Sequence, residues 1–178
     1  GKDITRLPMH ARAKYGVGYL PQEASVFRKL SVEDNIMAVL ETKKSLSKKQ
    51  RIEKLDSLID DLQVDHIRKN VGLSLSGGER RRVEIARALA SDPAFVLLDE
   101  PFAALDAPTR EALRTDVLQL CRERELSLVL VTHSIEEAVL MGQRILAFGK
   151  GAPVSPHIVQ NVSAVTAATN KTIFTNDQ

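Results

Sequence analysis

The chain has 178 residues, 43% of them hydrophobic and 27% charged, with a net charge of +2. That length supports one buried core with a small subdomain, the composition is that of an ordinary globular protein, and so small a charge gives no argument for nucleic acid. No run approaches the ~20 apolar residues of a transmembrane helix, no secretory apolar region opens the chain, and the lone Cys121 excludes an internal disulfide and suits a reducing compartment.

Taken in order, Pro8 to Tyr15 reads as a short helix and Gly16 to Leu20 as a strand bounded by glycines. Gln22 leaves that strand in a loop, where its amide offers one acceptor and two donors to a cation or a water. Phe27, Arg28 and Leu30 follow. An aromatic and an arginine together on a loop suit a binding anchor; the alternative is that Phe27 packs inward. Ser31 then caps a helix with the apolar face Val32, Ile36, Val39 and Leu40. Lys43 to Lys49 reads as a loop, and Ser47 with Gln50 forms a capping box for a second helix with the stripe Ile52, Leu55, Leu58, Ile59 and Leu62. The basic residues from Lys43 to Arg51 are read as a solvated face, because acidic residues follow directly.

The most informative stretch runs from Leu75 to Asp106. Ser76, Gly77 and Gly78 place a hydroxyl and unobstructed backbone N–H groups at a helix start, and such a start binds anions. Gly78 is expected to open the helix, with Val83, Ala86, Leu89 and Ala90 inward. Arg80, Arg81 and Arg82 spread around its circumference and make no single basic stripe. Asp92-Pro93 ends it. Phe95 to Leu98 is a buried strand, and Asp99 and Glu100 stand at its end, where one carboxylate can hold Mg²⁺ and the next can orient a water.

Asp106 and Pro108 begin another helix with Leu113, Val117, Leu120 and Cys121 on one side. Ser127 to Val131 is a continuous apolar run, expected of a parallel strand covered on both faces. His133 stands at its C-terminal end, where open α/β sheets bind ligands. Ser134 with Glu137 caps a further helix, and Arg144 to Phe148 makes a last strand. From Gly149 the pattern decays, Asn161 to Gln178 shows no clear amphipathic period, and residues 151–178 are expected to form a loosely ordered tail.

These motifs together resemble the ATP-binding-cassette (ABC) ATPases. Leu75 to Glu79 is similar to their signature motif, Phe95 to Glu100 to the Walker B strand with its catalytic glutamate, Phe102 to Asp106 to the D-loop, Gln22 to the Q-loop, and His133 to the switch histidine. Residues 3–102 are most similar to ATPases of the lipopolysaccharide-export type, whereas residues 103–148 look more like importers of the nitrate, sulfonate or taurine type. Two departures stand out. No Gly-x-x-x-x-Gly-Lys-Ser/Thr loop occurs, and no aromatic residue precedes it to stack on adenine. The resemblance therefore implies an α/β, P-loop NTPase (RecA-like) nucleotide-binding domain, truncated at its N-terminus, with a helical subdomain.

The boundaries it implies are 1–22 for the remainder of the N-terminal RecA-like part, 23–91 for the helical subdomain, 92–150 for the rest of the core and 151–178 for the tail. It further implies ATP and Mg²⁺ as cofactors. Glu100 and His133 would be catalytic. Asp99 and Gln22 would hold the metal. Gln22, Ser76, Gly77, Gly78, Glu79 and Asp106 would contact nucleotide or the dimer face. Phe27, Arg28 and Leu30 would line a groove for a transmembrane subunit. A homodimer of cassettes, peripheral on the inner face of a bacterial inner membrane, would drive transport with no direct membrane insertion and no nucleic acid. The alternatives are an inert fragment acting only in binding and the ATPase of a nitrate/sulfonate-type importer.

Overall fold

The structure, a computed structural model, describes residues 3–148, 157–161 and 172–176, the last of these as backbone. It divides into two compact units, Gly1–Gly18 with Glu23–Ala94, and Tyr19–Gln22 with Phe95–Gln178. The first unit contains the expected helical segment but also takes in the residues before it. Gly16 makes this possible. It has φ +84, and its carbonyl accepts from the Ala94 N–H at 2.7 Å. A Cβ there would need a left-handed backbone and would press on Ala94 at 3.0 Å, so glycine is required.

Strand β1 (Val17–Leu20) begins in the first unit and its last two residues belong to the second. In the first unit α1 (Met9–Ala13) precedes it, and three helices form the core: α2 (Val32–Leu40), α3 (Lys48–Asp61) and α4 (Gly77–Ala90). Their starts are set by side chains. Ser31 accepts from the Asp34 N–H, and reciprocal capping boxes join Ser47 to Gln50 and Ser76 to Glu79. Helix α4 thus begins at Gly77, one residue before the expected Gly78. Leu55, Leu58, Ile59 and Leu62 are buried together with Val32, Ile36 and Leu40, while Val83, Ala86, Leu89 and Ala90 line the inner face of α4. Ile52, expected on the same stripe, is 41% exposed near the start of α3. Lys43 and Lys54 both reach Asp92, which sits at φ +46 just beyond α4. Part of the basic run therefore closes the helical unit instead of facing solvent.

The second unit carries β2 (Phe95–Asp99), α5 (Ala107–Glu123), β3 (Ser127–Thr132), α6 (Ile135–Met141), β4 (Arg144–Phe148), β5 (His157–Gln160) and β6 (Thr172–Asn176). The sheet order is β1-β2-β3-β6-β4-β5. Strands β2, β3, β6 and β4 run parallel, and β5 returns antiparallel on β4. Although β3 is continuously apolar, its burial alternates: Leu128, Leu130 and Thr132 are buried and Ser127, Val129 and Val131 half-buried. Of this strand, expected to be covered on both faces, one face is fully covered and the other only partly. Within residues 151–178, expected to be a loosely ordered tail, His157–Gln160 pairs with β4 and Thr172–Asn176 with β3 and β4 as strands. Residues 151–156, 162–171 and 177–178 lie outside the described residues.

Candidate active site

The register of β2 on β3 pairs Asp99 with Val131. One residue further, the Glu100 N–H donates to the Val131 carbonyl at 2.9 Å, so the ladder holds Glu100 as well. Glu100 has φ +44, a left-handed conformation uncommon for a non-glycine residue. This turn aims its carboxylate at the end of β3. There Oε1 accepts the His133 backbone N–H at 3.0 Å and lies 2.7 Å from the ring nitrogen Nδ1. The structure therefore joins the two residues expected to be catalytic. The carboxylate is largely covered, while the imidazole is half open to solvent.

Asp99 is held from the side. The Tyr19 hydroxyl donates to Asp99 Oδ2 at 3.3 Å, and burial, then the Asp99 charge, push the Tyr19 hydroxyl above its ordinary pKa. Gln22, three residues on in the same unit, is exposed. One strand-end carboxylate and one amide fit Mg²⁺, which takes few protein ligands and completes its shell with water and phosphate oxygens. No cluster of three or more His, Cys, Asp or Glu able to hold a metal occurs among the described residues. The turn after β3 has its own brace. The Thr132 hydroxyl donates to buried Glu137 at 2.6 Å and accepts from the Ser134 N–H at 3.0 Å, so the backbone on both sides of His133 is fixed. Asp106 caps α5, accepting the Thr109 N–H at 3.1 Å; that bond holds its carboxyl below the ordinary carboxylate range.

In the first unit, Ser76 is the N-cap of α4, with Gly77 and Gly78 in its first turn. Glu79 Oε2 accepts both the Ser76 N–H at 2.8 Å and the Ser76 hydroxyl at 2.7 Å, and these bonds lower the Glu79 pKa. A carboxylate already sits at this helix start, the preference expected for an anion there.

Loop 25–31 is fastened from two helices. Asn35, fully buried on α2, accepts the Phe27 N–H at 2.8 Å and donates to the carbonyls of Phe27 (3.0 Å), Leu30 (3.2 Å) and Ser31 (2.9 Å). The Arg87 guanidinium of α4 lies 4.2 Å over the Phe27 ring and donates to the Ser25 carbonyl. Residues 28–31 also pair with 70–73 through the Gly72 and Leu73 N–H groups. A Cβ at Gly72 would come within 2.8 Å of the Phe27 carbonyl, so only glycine fits. The result is an exposed apolar surface of Phe27, Leu30, Val71 and Leu73, with Arg28 beside it. Phe27 is 47% exposed, against the inward-packed alternative.

Sequence reasoning did not find Tyr19, Asn35, Glu84 or the Thr132–Glu137 brace. Asn35 had a signal: a polar residue on the otherwise apolar face of α2. Tyr19 had none, because its partner lies eighty positions away.

Parallel strands ending in Asp99-Glu100 and His133 are the arrangement expected of the nucleotide-binding domain that the sequence resembles. Comparison agrees: the family profile described as ABC transporter matches residues 1–103, and the chain belongs to that family. The lipopolysaccharide export system ATP-binding protein LptB of Haemophilus influenzae is 49% identical over 164 residues, covering 90% of this chain and 68% of that protein. LptB of Escherichia coli K12 is 46% identical over 149 residues, covering 84% and 61%. The chain thus spans 61–68% of the length of these relatives. The first alignment runs past residue 103, through part of the stretch that looked importer-like. Among solved structures, a dimeric ATP-binding cassette in a post-hydrolysis state bound to ADP and Pi superposes with a TM-score of 0.67 at 28% identity, covering 79% of this chain and 63% of that one.

Proposed function

We propose that the full-length protein is the ATP-hydrolysing subunit of an ABC transporter of the lipopolysaccharide-export type, acting as a cassette dimer beneath membrane subunits. The observation that carries the catalytic part is the Glu100–His133 contact at the ends of adjacent parallel strands. Bound Mg²⁺ would neutralise developing charge on the phosphates. Asp99 would hold that ion, with the Tyr19 hydroxyl restricting how its carboxylate turns. Glu100 would orient the attacking water and accept its proton, its position set by the left-handed turn and the bond to the Val131 carbonyl. His133, braced by Thr132 and Glu137, would present its ring to the transferring phosphoryl group. Ser76, Gly77 and Gly78 would offer hydroxyl and N–H donors to the γ-phosphate held by the other cassette. Gln22 would follow the state of the metal site, Asp106 would shape the dimer contact, and Phe27, Arg28 and Leu30 would receive the membrane subunit. The substrate assignment rests on the names of the relatives.

Glu100→Gln tests the reading. In the full-length protein this variant is expected to bind Mg-ATP normally while phosphate release falls by ~10²-fold or more, within the range for loss of a general base. Steady-state turnover near the parent rate would overturn the assignment of Glu100, and with it the carrying observation.

A further inference from the structure

We propose that Glu84 is a positioning residue that makes the Phe27 loop a rigid extension of the signature helix. Glu84 sits on α4 and is 3% exposed, yet nothing in the catalytic reading uses it. Its Oε1 accepts two consecutive backbone amides, Ser25 at 2.6 Å and Val26 at 3.0 Å, and its Oε2 accepts Arg81 Nη1 at 3.2 Å. A buried carboxylate is costly unless its oxygens are filled, and replacing an ion pair by apolar residues is often neutral or stabilising. An apolar residue would fill this inner position of α4 but could not hold the two amides. What the carboxylate adds is a fixed distance between the loop and the helix.

The grip is reinforced on the same helix. Arg87 donates to the Ser25 carbonyl and covers the Phe27 ring. Burial lowers the Arg87 pKa and the Glu84 charge opposes that shift, so the arginine also depends on Glu84. Residues 25–27 are therefore tied by two side chains to the helix whose first turn is Ser76-Gly77-Gly78, while Asn35 of α2 holds the Phe27 backbone. Through Glu84 and Arg87, a displacement of the loop is passed to α4 and a shift of α4 to the loop. Without Glu84, Ser25 and Val26 keep their N–H groups but lose the partner that ties them to α4.

The inference rests on reading the Phe27 surface as the docking place of a membrane subunit. Two measurements on Glu84→Ala and Glu84→Gln test it. In the chain described here, the Ser25 and Val26 amides should exchange with solvent ~10-fold faster or more in Glu84→Ala but not in Glu84→Gln, whose amide oxygen still accepts them, while α3 amides stay protected in both. In the full-length protein assembled with its membrane subunits, Glu84→Ala should keep the basal turnover and KM of the isolated ATPase within about twofold and lose ~5-fold or more of the partner-stimulated rate, with Glu84→Gln restoring most of it. Unchanged Ser25 and Val26 exchange, an equal fall of basal and stimulated rates, or undiminished stimulation in Glu84→Ala would each overturn the proposal. If Glu84→Ala does not fold, Glu84→Asp, too short to reach both amides, is put through the same pair of measurements. Phe27→Ala run alongside separates the two ideas: full co-purification with the membrane subunits overturns the docking reading, and unchanged amide exchange in Glu84→Ala overturns the positioning role.

Discussion

The two units place their functional residues by different physics. In the sheet unit, position follows from backbone register: β2 beside β3 puts Asp99 opposite Val131, and one more ladder bond sets Glu100 against His133. In the helical unit, position follows from buried polar side chains: Asn35 and Glu84 hold a loop that has no regular backbone structure of its own. A strand end is fixed by many weak, interchangeable contacts, a clamped loop by a few strong ones. The sheet site should therefore tolerate changes around it and fail only at the reacting groups, whereas the helical site should fail at residues that touch no ligand.

The sharpest way to break this contrast is at His133. His133→Ala removes the ring but not the backbone N–H that Glu100 also accepts. Fold stability should change little, while turnover of the full-length enzyme falls by ~10²-fold with nucleotide affinity retained. Chemical denaturation and single-turnover hydrolysis read the two halves separately. A large loss of stability with ordinary turnover would mean that the pair is structural.

The opposite pattern is expected at Asn35. Asn35→Leu fits the apolar face of α2 but leaves the Phe27 N–H without its acceptor. It also takes one donor from the carbonyls of Phe27, Leu30 and Ser31, each of which keeps a backbone N–H. The loss should be about 2–3 kcal/mol, the upper part of the range for leaving one buried donor unpaired, read as a lower denaturation midpoint. A neutral result would show that the loop finds other partners, and the contrast between the units would weaken.

Legibility of these features follows the same division. The capping box at Ser47, the stripe through Leu113, Val117, Leu120 and Cys121, and the strand at Arg144–Phe148 all appear where local pattern places them. Glu100 and His133 could be singled out in advance because both stand at the ends of apolar strands, in motifs that resemble those of the ABC ATPases. Glu84 could not, because its partners are the amides of residues nearly sixty positions earlier and no local spacing encodes that. The left-handed turn at Glu100 was hidden as well, since sheet context holds a non-glycine residue there against its preference. Strand β6 was not foreseen because its order comes from pairing on both sides and not from its own composition.

A smaller effect is expected at the exposed surface. Phe27→Ala removes an aromatic that is half in solvent and the platform beneath Arg87. It should weaken association with the membrane subunits by about 2 kcal/mol, the scale of an interface anchor, with nucleotide affinity unchanged. Co-purification at parent levels would place the docking surface elsewhere.

The smallest effect tests whether charge pairs add to the clamps of the helical unit. Asp92 is reached by Lys43 at 2.9 Å and by Lys54. Partial burial raises its pKa, but the two lysine hydrogen bonds and charges outweigh that, so the folded-state value lies below the ordinary 3.8. A carboxyl depressed in the folded state contributes stability that is present above its unfolded pKa and is lost as pH falls through the folded value. Asp92→Asn isolates this term, because asparagine tolerates the φ of +46 at this position. Near neutral pH the variant should be less stable by under ~1 kcal/mol, as expected for a carboxylate half open to water. That gap should hold down to about pH 4 and close below it, as both proteins come to carry a neutral side chain. Paired urea melts between pH 3 and 7 would show it. A gap that stays constant across that range would assign the effect of Asp92 to its hydrogen-bonding shape and not to its charge.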